Sequence, residues 1–140
     1  MSIIVKRIIN RIDENKLLVE AQHDKELIKV FLSGTKSFAE AILNTEITFE
    51  MDYDEIVNWS IIGSYNEAES GLFEKNGNIL IRGLIHNTEK TDSDIIIDIY
   101  VANSAEFICI LSSEINNFIP KGKEGIELEM RGLCIYPNQY

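Results

Sequence analysis

Proline and cysteine are both scarce in this chain, with two of each in 140 residues. So few prolines, beside eight glycines, exclude collagen-like, proline-rich and low-complexity sequences. Two cysteines do not make a disulfide framework. Cys109 and Cys134 each sit in an apolar run (FICIL and GLCIY), where a buried reduced thiol behaves as a small hydrophobe. A zinc site needs further soft or imidazole ligands at a workable spacing, and none is present, so no metal is expected. No apolar stretch approaches the roughly 20 residues of a membrane helix. The N-terminal MSIIVKRIINRIDENK is interrupted by Lys6, Arg7 and Arg11 and lacks a following small-residue cleavage site, so it does not read as a signal peptide. The expectation is a soluble, cytoplasmic protein with no membrane partner.

Positive charge is also in short supply. Thirteen Lys and Arg face twenty-three Asp and Glu, a formal charge of −10. Residues 1–36 hold seven basic and five acidic residues, whereas residues 37–140 hold six and eighteen. Nucleic-acid binding draws its affinity from Lys and Arg neutralising phosphates, so a surface of this sign excludes nucleic acid as the expected partner. The same charge suits a cationic protein, because complementary charge speeds encounter and rejects wrong partners.

What the chain does have is isoleucine, twenty-four in all, a β-branched residue suited to a pleated, half-buried surface. Its length fits one domain, 1–140, and 45% apolar with 26% charged residues is the composition of a folded core. Residues 3–12, 16–22 and 26–34 read as short strands divided by polar turns, an antiparallel meander. The spacing of Phe38, Ala41 and Ile42 predicts a helix over 37–44, opened by a capping box of Ser37 and Glu40. Residues 46–54 alternate, with Ile47, Phe49, Met51 and Tyr53 on one side and the acids on the other. The strand continues past a bend through 55–65, and 66–78 reads as a long loop with a turn at Asn76-Gly77-Asn78.

Three β-branched runs follow at 78–87, 94–101 and 106–113, then a helical turn before Pro120 and a final strand over 126–137. Arg-Gly-Leu occurs at both 82–84 and 131–133, and mid-strand glycine marks a bend that curls a sheet. The fold class is therefore mostly β (α+β): a curled antiparallel sheet or small barrel with one or two short helices. Over residues 78–137, three strands, a short helix at 113–119 and a further strand resemble an oligonucleotide-binding (OB-type) barrel in order. The nucleic-acid role common in that fold does not carry over to so acidic a chain.

Enzyme signatures are absent: there is no GxSxG, GxxxxGK[ST], HExxH or GxGxxG. His86 and Arg82 share a strand face, and with Glu129 they could do acid–base chemistry on a phosphodiester. That chemistry needs a further proton-transfer group and a cleft, so no catalytic residue and no cofactor is assigned. Neither Asp52-Tyr53-Asp54 nor Asp92-Ser93-Asp94 continues into a calcium-binding loop.

The distinctive feature is the acidic strand, where Glu46, Glu50, Asp52, Asp54 and Glu55 follow one another without a nearby lysine. Trp59, Tyr65 and Phe73 bracket the acidic loop 66–74, which carries Glu67 and Glu69, and such aromatics are enriched at binding hot spots. The five acids of the strand with Trp59, Tyr65, Glu67 and Glu69 are the expected partner-binding set. In size, acidity and lack of catalytic groups the chain is similar to bacterial immunity proteins, which neutralise cationic nuclease toxins. That resemblance implies a non-enzymatic inhibitor with a basic protein partner. A structural or assembly component of a phage, secretion or regulatory complex is the alternative, with a small-ligand-binding barrel behind it.

Overall fold

Along Lys16–His23 half-buried and buried side chains alternate without a break, and in the computed structural model this segment is one wall of a closed barrel. The structure describes residues 2–66, 69–101 and 106–138. In chain order the strands are β1 (Ser2–Asp13), β2 (Lys16–His23), β3 (Glu26–Ser33), β4 (Glu46–Asp52), β5 (Glu55–Ile62), β6 (Gly71–Lys75), β7 (Asn78–Lys90), β8 (Ile95–Val101), β9 (Glu106–Leu111), β10 (Gly125–Arg131) and β11 (Cys134–Pro137). One α-helix, α1 (Lys36–Ala41), follows β3, and a short 3-10 turn, Ser112–Ile115, follows β9.

The barrel runs β1-β2-β3-β11-β4 and closes on β1. Its pairs are antiparallel except β3 with β11. The second sheet runs β5-β10-β7-β8-β9, with β6 beside the first half of β7. One apolar cluster joins both, with Val5, Leu17 and Leu32 from the barrel and Ile81, Ile97 and Ile126 from the second sheet. Each such side chain taken fully from water contributes roughly 1.5–3 kcal/mol.

Ile4, Ile8 and Ile12 recur every four residues, a spacing that also fits one face of a helix, yet all three lie in β1. Register shifts interrupt the β1–β2 pairing after Val5, Ile8 and Arg11. Each inserts an extra residue and changes the face on which the next apolar side chain falls. The same bulges bend β1 so that Ser2–Ile4 reach β4 while the rest of the strand stays on β2.

Several sequence expectations are corrected. The helix cap is Thr35, whose hydroxyl accepts from the Phe38 amide at 3.2 Å, and Ser37 lies inside α1. Glu40 pairs with Lys36 at 3.9 Å, one helical turn away, instead of closing a capping box. The loop read over 66–78 contains β6, joined to β7 by Asn76 (φ 51°) and Gly77 (φ 82°), the positive pair a type I′ hairpin turn requires. The strand read over 126–137 is two strands in different sheets, parted at Gly132 (φ 71°). Gly83 instead stays inside β7, where the backbone of Tyr100 and the side chain of Ile99 leave no room for a β-carbon.

The order expected over 78–137 is present as β7, β8, β9, the 3-10 turn and β10, but it does not build a barrel. Those residues lie in the second sheet as far as Arg131, and only β11 enters the barrel. The barrel's own strands carry the same order as β1, β2, β3, α1 and β4. The second sheet is thus an excursion between the fourth and fifth strands of the barrel.

Candidate partner-binding surface

The alternation of 46–54 is realised as expected. Ile47 and Phe49 are buried, Met51 and Tyr53 half-buried, and Glu46, Glu50, Asp52 and Asp54 all exposed. β4 is held on one edge by β1 over Glu46–Thr48 and on the other by β11 over Phe49–Asp52. This pairing fixes Glu46, Glu50 and Asp52 on the outer wall of the barrel, with alternate residues about 6.6–6.8 Å apart, and Asp54 follows just past the end of β4.

Among the described residues no lysine or arginine lies within ion-pair distance of Glu50, Asp52 or Asp54. Elsewhere glutamates do find cations: Glu20 with Arg7, Glu40 with Lys36, Glu129 with Lys75, Glu127 with Arg82 and Glu55 with Arg131. Glu46 accepts a hydrogen bond from the Ser2 hydroxyl at 2.9 Å. Asp52 accepts from the Tyr53 amide at 2.8 Å. Glu55 is exposed but neutralised at 2.6 Å by Arg131, so it differs from the three bare acids before it.

The remaining expected residues do not join this row. Trp59 is half-buried against Phe118, ring centroids 5.1 Å apart. Tyr65 is half-buried with its ring over Gly125, and Glu69 is exposed. β5 carries the chain roughly 23 Å from Glu55 to Ile62, at about 3.3 Å per residue, before Tyr65 and Glu69 are reached. Glu67 lies outside the described residues.

The His86, Arg82 and Glu129 grouping is dispersed. Arg82 binds Glu127 at 2.6 Å and lies over the Phe73 ring. Glu129 accepts from the Asn78 side chain at 2.7 Å, and exposed His86 packs on Phe107. Groups of three or more metal-ligating side chains are absent among the described residues. Among them, too, no helix is long and apolar enough to cross a membrane.

Tertiary structure adds neighbours that the local pattern does not reveal. Tyr136 on β11 stands opposite Glu50, and Cys134 opposite Asp52. Cys134 is buried as expected, and burial pushes its thiol above the ordinary value. Cys109 is exposed, contrary to expectation, because it alternates with buried Ile108 and Ile110 along β9 and its thiol turns outward to Asp98 at 3.0 Å. That hydrogen bond, with lesser burial, pushes its pKa up to about 11. At the end of the acidic row the Tyr53 hydroxyl donates to Glu114 at 2.9 Å, tying β4 to the turn after β9. Burial and then Glu114 hold that phenol well above its usual range. The chain matches no protein-family model and no curated protein.

Proposed function

We propose that this protein is a non-enzymatic inhibitor that neutralises a basic protein partner, as bacterial immunity proteins do with cationic nuclease toxins. The observation that carries this reading is the row Glu50, Asp52 and Asp54: exposed, adjacent and without a cation of its own among the described residues. Like charges so placed repel one another, and a partner's lysines or arginines relieve the repulsion while steering encounter. The reading places the protein in a reducing cytoplasm, where two unbridged thiols are at home.

Co-expression with the product of the adjacent gene tests it. The complex should form at low ionic strength and weaken as salt rises. Glu50→Lys with Asp52→Lys should slow association about tenfold or more while the circular dichroism spectrum and melting temperature stay unchanged. An unaltered complex would mean that these carboxylates only keep the surface wet.

A structural or assembly component is the second reading. It is favoured by β9, whose Phe107 is 52% exposed at a sheet edge and whose Leu111 is 40% exposed. Light scattering separates the two, since a self-assembling chain should exceed its monomer mass of 16.0 kDa at working concentration.

A further inference from the structure

The strand edges with no paired neighbour among the described residues include part of β4 and the outer edge of β9. Among the described residues β4 meets β1 only over Glu46–Thr48, so the β1-side edge of Phe49–Asp52 has no described strand beside it. β9 pairs with β8 alone and ends its sheet. The two edges flank one cleft of about 370 Å³. Consecutive residues line it from each side, Phe49, Glu50 and Met51 from β4 and Phe107, Ile108 and Cys109 from β9. A strand that presented a face would contribute only alternate residues, so the cleft is bounded by edges.

Backbone polarity agrees. The Leu111 amide leaves the sheet to meet the Glu114 carboxylate at 2.9 Å. In an antiparallel ladder successive residues point their amide and carbonyl groups alternately toward and away from the neighbour. The Phe107 and Cys109 amides therefore also point off the sheet. The sequence of β9 after Glu106, FICIL, has none of the lysines or prolines with which exposed edges are protected.

We infer that this cleft receives an extended, basic segment of the partner as an added β-strand, lying between β4 and β9. The inference rests on the reading of the protein as a binder of basic partners and specifies how the partner is held. An added strand repeats its side chains at the same period as Glu50 and Asp52, so lysines or arginines at alternate positions meet them directly. Backbone hydrogen bonds would give affinity, and the alternation would give selectivity. Charge argues against a second copy of this chain as the occupant, because each copy carries −10 and brings like charge to the same mouth.

A synthetic peptide alternating lysine and valine is the probe, with two controls: proline in place of the valines, and glutamate in place of the lysines. The lysine–valine peptide should bind at low salt and slow hydrogen exchange at the Phe107 and Cys109 amides about tenfold or more. The proline and glutamate peptides should do neither, and Glu50→Lys with Asp52→Lys should weaken binding by about tenfold or more. Equal binding of the proline peptide would overturn strand addition and leave the charge reading standing. Binding without protection at Phe107 and Cys109, or no binding, would overturn the site, whereas the partner reading stands or falls on the co-expressed complex. Protection that appears on concentrating the protein alone would assign the cleft to a second copy and overturn the proposed occupant.

Discussion

The carboxylate of Asp54 lies against the α-carbon of Gly132, and the Asp54 amide donates to the Arg131 carbonyl at 2.9 Å. These residues mark the two places where the chain passes between barrel and second sheet, outward after β4 and back before β11. Gly132 has φ 71°, where a side chain is strained, and a β-carbon there would collide with Asp54. Glycine is demanded twice over, by conformation and by space.

Gly132→Ala should destabilise the protein by about 2 kcal/mol or more, of which the backbone conformation alone costs roughly 1–2 kcal/mol. Gly77→Ala, at φ 82° with open space around it, should lose only the conformational part. Urea unfolding of the two variants measures the difference, and adding Asp54→Ala to Gly132→Ala should recover some of the loss. Equal losses in the two single variants would show that the Asp54 contact is immaterial.

The start of α1 offers a second comparison. Thr35→Ala removes the acceptor of the Phe38 amide and should cost about 1 kcal/mol. Ser37→Ala, inside the helix and exposed, should stay within about 0.5 kcal/mol of the parent. The reverse ranking in thermal melts would return the cap to Ser37.

His23 is 4% exposed, and its Nδ1–H donates to the Ser2 carbonyl at 3.1 Å. Burial lowers its pKa from 6.5 despite that bond, so the unfolded chain binds the proton more readily than the folded one. Stability is then full above the ordinary histidine value and falls as pH drops below 6.5 toward the lowered one. Urea midpoints measured across that window should decline in the parent and flatten in His23→Gln.

Cys109 is exposed, yet its thiol should react slowly near neutral pH, because Asp98 holds it in the protonated form. Asp98→Asn should speed alkylation by iodoacetamide roughly tenfold or more at constant pH. Cys134, buried on the barrel wall, should stay unlabelled in both proteins until they unfold. An unchanged rate at Cys109 would mean that access, and not thiolate population, sets its reactivity.

Patterns between near neighbours were legible in the sequence itself. Alternation along 46–54 determined which side chains face water on β4, and the turn residues between short β-branched runs determined the first three strands. Asn76-Gly77 marked its turn, although five residues before it, Gly71–Lys75, showed too little periodicity to reveal β6. The cap position is not legible in the sequence, because Thr35 and Ser37 both have a hydroxyl that can serve, and only the backbone conformation chooses between them.

Pairing was another matter, since it joins residues remote in the chain. Nothing local separates one strand over 126–137 from two strands in different sheets; the positive φ at Gly132 and its contact with Asp54 do that. Composition and period alone made this a β-rich chain with a bare acidic strand. Which edges were left without neighbours, where the barrel closed, and that Cys109 came to the surface were decided by long-range packing, because strand order minimises exposed apolar area over the whole molecule and leaves no trace in any short window.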